Sequence, residues 1–165
     1  MLVERGIVLR NPARRFAFAP AQPCKILCRL AQGALVKARI STQRAGARAY
    51  PWGDGAPACA VANVAGCSGG PVAVGSFPAA PQIEGTGLHD LAGNAAEWCA
   101  DWWQDALNAA GQVDPSGPPV GTRKVVRGGD FEAAGDALRC AWRVGQVPGN
   151  CPGGTGFRVA RSAGH

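Results

Sequence analysis

Glycine is the feature that most limits what this chain can fold into. It occupies 24 of 165 positions, and 21 of the 24 follow residue 49; the usual share is about 7%. The glycines stand in turn signals, PWGDG, SGGP, EGTG, SGPPVG, PGN and PGGTG, with short apolar pieces between them. Glycine and proline at that density interrupt long helices. The glycines follow no three-residue period, which excludes a collagen-like helix. Short strands and loops fit the gaps. Residues 72–77, Lys124–Arg127 and residues 156–160 read as strands, and 101–107 as a short helix. Such a body must satisfy many backbone groups without ladders, through bound ions, indole N–H groups and arginine contacts to carbonyls.

The charge divides at the same place as the glycine. Residues 1–49 hold ten Lys/Arg and one acid, Glu4, for a balance of +9; residues 50–165 hold seven Lys/Arg and ten acids, for −3. All five Trp lie in the second part. Two segments follow: a basic one over 1–49, poorly ordered or unrelated to the rest, and a folded domain over 50–165. Within the first, residues 27–37 fit one helix with Leu27, Leu30, Ala31 and Leu35 on a face. Its Arg-rich, acid-poor composition suits a transit peptide, a polybasic arm for nucleic acid or anionic lipid, or an extension with no packed role, and the last reading is favoured. Nucleic acid is expected only through this segment. Glu4 and Arg5 interrupt the start and no long apolar run follows, so a secretory leader is not expected and a cytoplasmic setting is favoured. No stretch approaches the roughly 18 apolar residues of a membrane span.

Seven cysteines leave one thiol over if the rest pair. Cys24 and Cys28 form a lone CxxxC, and the only histidines, His89 and His165, offer no matching zinc set. Cys59 and Cys67 bracket ACAVANVAGC, a spacing that suits either a disulfide or two thiols. Cys99 beside Trp98 reads as a buried apolar thiol, and Cys140 and Cys151 flank the loop at Pro148.

The densest segment is GLHDLAGNAAEWCADWW, residues 87–103. Asp90, Asn94 and Glu97 place three hard oxygen side chains around Gly93, the donor type calcium takes, although the spacing is not an EF-hand. A turn with capping carboxylates is the plainer reading of the spacing. Trp52, Trp98, Trp102, Arg127, Arg143 and Arg158 read as structural core, the arginines pairing with carboxylates or carbonyls. An anion role for Arg139, Arg143 and Arg158 is the alternative. KVVRGGDF is not a phosphate loop, because no GK[ST] follows.

Eight pieces stand in a fixed order: YPWGD at Tyr50, AN at Ala62, PVAVGSFP at Pro71, GLHDLAGNAAEW at Gly87, DPSGPPVG at Asp114, VVRGGDF at Val125, RCAWR at Arg139 and GFRVA at Gly156. In this order and spacing the chain resembles the formylglycine-generating enzyme, or sulfatase-modifying-factor, family over residues 50 to 161. The resemblance implies an α+β, C-type-lectin-like fold with short strands, many loops and little regular structure. It covers roughly the C-terminal half of the family domain; the helix that opens RLPTEAEWE in the family has no counterpart in VKARISTQRAGARA. The resemblance also implies a structural calcium on Asp90, the carbonyls of Gly93 and Ala95, and Glu97. A second calcium would use Asn63 and the Val64 carbonyl, but the acidic stretch that completes it in the family is AGCSGG here.

Family enzymes oxidise a sulfatase cysteine to formylglycine with oxygen and a copper ion on two cysteine thiolates. Those cysteines lie between the RGG turn and the RxAxR strand. Here that interval is DFEAAGDAL, without a cysteine, and copper is not expected. The first expectation is therefore a non-catalytic or divergent, calcium-stabilised binding or regulatory domain with a protein or peptide ligand. The alternatives are an oxidoreductase of the family, formylglycine-generating or iron-dependent, or a fragment of one, and a nucleic-acid or lipid binder acting through residues 1–49.

Overall fold

The computed structural model describes residues 48–78, 88–106, 117–150 and 152–157. The basic segment up to residue 47, with the 27–37 helix, Cys24 and Cys28, lies outside the described residues, as do Cys151 and Arg158. Regular structure is sparse, as the glycine pattern requires. Four strands form one sheet: β1 (Ala96–Trp102), β2 (Lys124–Arg127), β3 (Val144–Gln146) and β4 (Thr155–Gly156), in the order β3-β2-β1-β4. β2 is antiparallel to β1 and β3, whereas β4 runs parallel to β1. A 3-10 turn over Gly135–Leu138 is the one helical element among the described residues. No helix among them is long and apolar enough to cross a membrane.

The sheet alternates its side chains between two faces. Ala96, Trp98 and Val126 cluster on one; Cys99 and Val125, with half-buried Trp103, cluster on the other. Trp98 has no exposed surface. A third cluster, of Tyr50, Ala62, Val64, Ala92 and Leu138, is built from loops, with Trp52, Val61, Cys67 and Ala133 packed against it. Main-chain bonds from Cys140 N–H to the Ala49 carbonyl (2.8 Å) and from Ala65 N–H to the Ala133 carbonyl (3.0 Å) close the loops over this cluster.

β2 has the bounds expected from its flanking turn signals. Residues 72–77 form no strand. Both main-chain groups of Val72 bond the Asn94 side-chain amide, at 2.8 and 3.1 Å, and Ser76 turns back to the Ala73 carbonyl through its N–H and its hydroxyl. A side chain thus takes the place of a neighbouring strand. The 101–107 helix is also corrected: Asp101 and Trp102 continue β1 past an irregularity, Trp102 pairs with Lys124, and Trp103 N–H donates to the Arg123 carbonyl at 2.8 Å. Ladder bonds to β2 outweigh the weak helical preference of so short a piece. At the other end of the sheet, β4 covers Thr155–Gly156, and residues 158–160 fall outside the described part.

Candidate functional site

The residues that carry the site lie just ahead of β1. Asp90 and Asn94 adopt left-handed backbone conformations, with φ of 55° and 64°, and Gly93 between them has φ of 79°. Asp and Asn are the side-chain-bearing residues that tolerate this region best. Three such residues within five positions curl the main chain into a compact loop. Gly93 is required there for a second reason: a Cβ on it would stand 2.4 Å from the Asn63 carbonyl oxygen.

That close approach marks the centre of a buried polar network. Asn63 has no exposed surface. Its carbonyl accepts from Asn94 N–H at 2.8 Å. Its amide nitrogen donates to the Gly70 carbonyl (2.9 Å) and to Asn94 Oδ1 (3.1 Å), and its Oδ1 accepts from the Ser68 hydroxyl (2.6 Å). Asn94 Oδ1 also accepts from Val72 N–H. The turn around Asn94 is thereby fastened to two segments that precede it by 22 and 31 positions, without any ladder and with the buried amides satisfied. From sequence Asn63 reads as a ligand of a second ion, Ser68 and Gly70 as part of the SGGP turn signal and Val72 as the start of a strand; the amide network that joins them is not among those readings.

The four expected calcium donors fall on this loop and the start of β1. Asp90 Oδ2 accepts from Gly75 N–H at 3.2 Å, and the Gly93 carbonyl accepts from Ala95 N–H at 2.8 Å. Ala95 precedes β1, and Glu97 lies within it, 6% exposed, opposite Arg127 in the register. A carboxylate so buried requires a compensating charge or strong hydrogen bonds. Two carboxylates and two carbonyls on one curled stretch are the hard, mixed oxygen donors that suit calcium. Among the described residues no three His, Cys, Asp or Glu side chains gather, so an ion held here would have to draw on main-chain oxygens as well. The pair named for a second ion also takes part in hydrogen bonds: the Asn63 oxygens bond as above, and the Val64 carbonyl, which keeps a second lone pair, accepts from Cys67 N–H at 3.0 Å.

Cys59 and Cys67 form a disulfide that closes the loop containing Asn63 and Val64. Cys99 and Cys140 are buried. Trp52 stacks on Tyr50 with ring centroids 5.3 Å apart and donates its indole N–H to the Gly55 carbonyl. Arg127 donates to the carbonyls of Cys140 (3.1 Å) and Trp142 (3.3 Å), and Arg143 to that of Gln104 (2.9 Å).

At the far end of β1 the sheet presents aromatic rings and cations together. Lys124 Nζ lies 3.8 Å from the Trp102 ring centre, and the Arg143 guanidinium 4.0 Å from that of Trp103. Burial pushes the Asp101 carboxyl above its ordinary range, against the pull of Arg127, Lys124 and Arg143. Burial also lowers Arg143 from its ordinary value, with Arg127 adding to the effect. Cations set over indole faces in this way are attracted by the ring quadrupole.

Comparison with known proteins agrees with this architecture. The formylglycine-generating enzyme of Thermomonospora curvata is 42% identical over 83 residues, 46% of this chain and 27% of that enzyme. The serine/threonine-protein kinase Pkn1 of Chlamydia trachomatis is 41% identical over 78 residues, 46% of this chain and 13% of the kinase. The chain thus spans about a quarter or less of the length of these relatives. The solved structure of PvdO from Pseudomonas aeruginosa superposes with a TM-score of 0.60 at 28% identity, covering 78% of this chain and 50% of that one. The sulfatase-modifying factor enzyme 1-like domain family matches residues 38–163, well over half of the sequence, and the chain belongs to that family.

Proposed function

We propose that this chain is a non-catalytic, calcium-stabilised binding domain of its family, with a protein or peptide ligand. The observation that carries the reading is what fills the interval where the resemblance places the copper cysteines. Between Gly129 and Arg139 the chain turns tightly at Asp130, whose Oδ1 accepts from Glu132 N–H at 3.1 Å. It then places Ala133 against the loop cluster and buries Leu138 fully within it. The interval contains no cysteine, so it offers no soft thiolate pair for Cu(I). It supports the core instead.

Calcium is assigned to Asp90, the carbonyls of Gly93 and Ala95, and Glu97. When bound, the ion would supply positive charge beside the Asp90 and Glu97 carboxylates and fix the start of β1. The ligand surface is assigned to Trp102, Trp103, Arg123, Lys124 and Arg143, which suit an acidic peptide. The test is incubation of the chain with a sulfatase-motif peptide, copper and oxygen beside a formylglycine-generating enzyme as control. The expected result is an aldehyde product with the control and none with this chain. Aldehyde formation by this chain refutes the non-catalytic reading.

A further inference from the structure

We propose that the Cys59–Cys67 disulfide is a redox-controlled latch on the Asn63–Asn94 network. The bond closes a loop whose own main-chain bonds are short turns: Val61 and Ala62 N–H to the Ala58 carbonyl, and Cys67 N–H to that of Val64. Asn63 sits at the middle of this loop, and its carbonyl and side chain are the atoms that hold Asn94. One end of the latch, Cys67, is packed against the cluster of Tyr50, Ala62, Val64, Ala92 and Leu138; the other, Cys59, is exposed. An external thiolate therefore has a sulfur it can reach. The disulfide ties a solvent-facing residue to the anchored end of the loop, and Asn63 is held at depth between them.

Reduction breaks the Sγ–Sγ bond. A dithiol supplies two electrons and two protons, is itself oxidised to a disulfide, and leaves Cys59 and Cys67 as thiols. The loop then regains the freedom that the cross-link removes, and Asn63 leaves its buried position in a fraction of molecules. The bonds from Asn94 N–H to the Asn63 carbonyl and from Val72 N–H to Asn94 Oδ1 open with it. The sheet keeps its ladder, because no bond between β1 and β2 passes through the loop.

The experiment is amide hydrogen exchange on the full chain, oxidised and after dithiothreitol. Alkylation and peptide mapping report Cys59 and Cys67 separately from the other five cysteines. On reduction, exchange at Asn94 and Val72 is expected to speed up by roughly tenfold or more, while that of Trp103 N–H, bonded to the Arg123 carbonyl in the sheet, is unchanged. A Cys59→Ala/Cys67→Ala double variant is expected to match the reduced protein whether or not oxidant is present. Unchanged exchange at Asn94 and Val72 with both thiols alkylated overturns the proposal. So does equal acceleration at Trp103, which makes the bond a global staple rather than a local latch.

Discussion

Replacing Gly93 by alanine tests the packing of the site directly. Two costs add. A residue with a Cβ pays about 1–2 kcal/mol to hold the left-handed conformation that Gly93 adopts. The new methyl would also stand 2.4 Å from the Asn63 carbonyl oxygen and 3.2 Å from its carbon, both main-chain atoms that cannot rotate away. Ordinary carbon contacts are near 3.5 Å, so the two segments must separate by about 1 Å. That separation strains or breaks the 2.8 Å bond between Asn94 N–H and the Asn63 carbonyl, and a buried group left unpaired costs about 1–3 kcal/mol. The total is about 2–5 kcal/mol. At about 3 °C per kcal/mol for a chain of this size, the midpoint of thermal unfolding falls by roughly 6–15 °C.

Two other glycines separate the contributions. Gly66 has φ of 84° with nothing within 4 Å of its would-be Cβ, so Gly66→Ala carries the conformational cost alone, about 1–2 kcal/mol. Gly149 also has open space and no positive φ, and Gly149→Ala should lie within about 0.5 kcal/mol of the parent. Thermal melts followed by tryptophan fluorescence give the ranking. If Gly93→Ala costs no more than Gly66→Ala, the close approach of Asn63 to the turn is refuted.

The Asn63 side chain is required as a donor, so Asn63→Asp, which cannot donate when ionised, should cost more at pH 7 than Asn63→Ala, by about 1–3 kcal/mol in urea unfolding. Protonating the introduced carboxyl in acid should narrow the difference. Asp101→Asn probes the opposite case. Burial raises the folded carboxyl above its unfolded value, so the ionised group opposes folding at any pH above that raised value and ceases to do so below the unfolded one. The asparagine variant should therefore unfold at a higher temperature than the parent at pH 7 and lose that advantage near pH 3; equal gains at both pH values would exclude burial of the charge as the cause.

How far the sequence discloses this fold depends on how local each determinant is. The glycine and proline signals are local and mark where regular structure stops. Lys124–Arg127 could be bounded from its neighbours because KVVR is followed at once by two glycines of positive φ. The Asp90–Asn94 turn was legible for the same reason: the residue types that accept left-handed backbone stand in the sequence itself. Residues 72–77 have a strand-like pattern, but their conformation is decided by an amide 22 positions away that occupies both main-chain groups of Val72. Likewise, the conformation of residues 101–103 is set by β2, which alone determines that Trp102 pairs with Lys124.

Asn63 shows the limit most sharply. The resemblance names it as an ion ligand; the structure also makes it the donor and acceptor that joins neighbouring loops, which its position in the AN pair does not disclose. Its side-chain oxygen accepts from Ser68 and its amide nitrogen donates to Gly70 and Asn94, so neutral hydrogen bonds cross-link loops that have no ladder. The stretch AGCSGG takes part in that cross-linking, since Ser68 and Gly70 lie within it and supply the hydroxyl and carbonyl that the amide engages. A carboxylate in the place of Ser68 would leave Asn63 Oδ1 facing another acceptor unless a cation lay between them. Ser68→Asp should accordingly destabilise the protein without calcium and recover part of the loss with it, measured as the shift in unfolding midpoint between chelator and millimolar calcium. Loss of stability that calcium does not reverse would show that the hydrogen-bonded arrangement leaves no room for the ion.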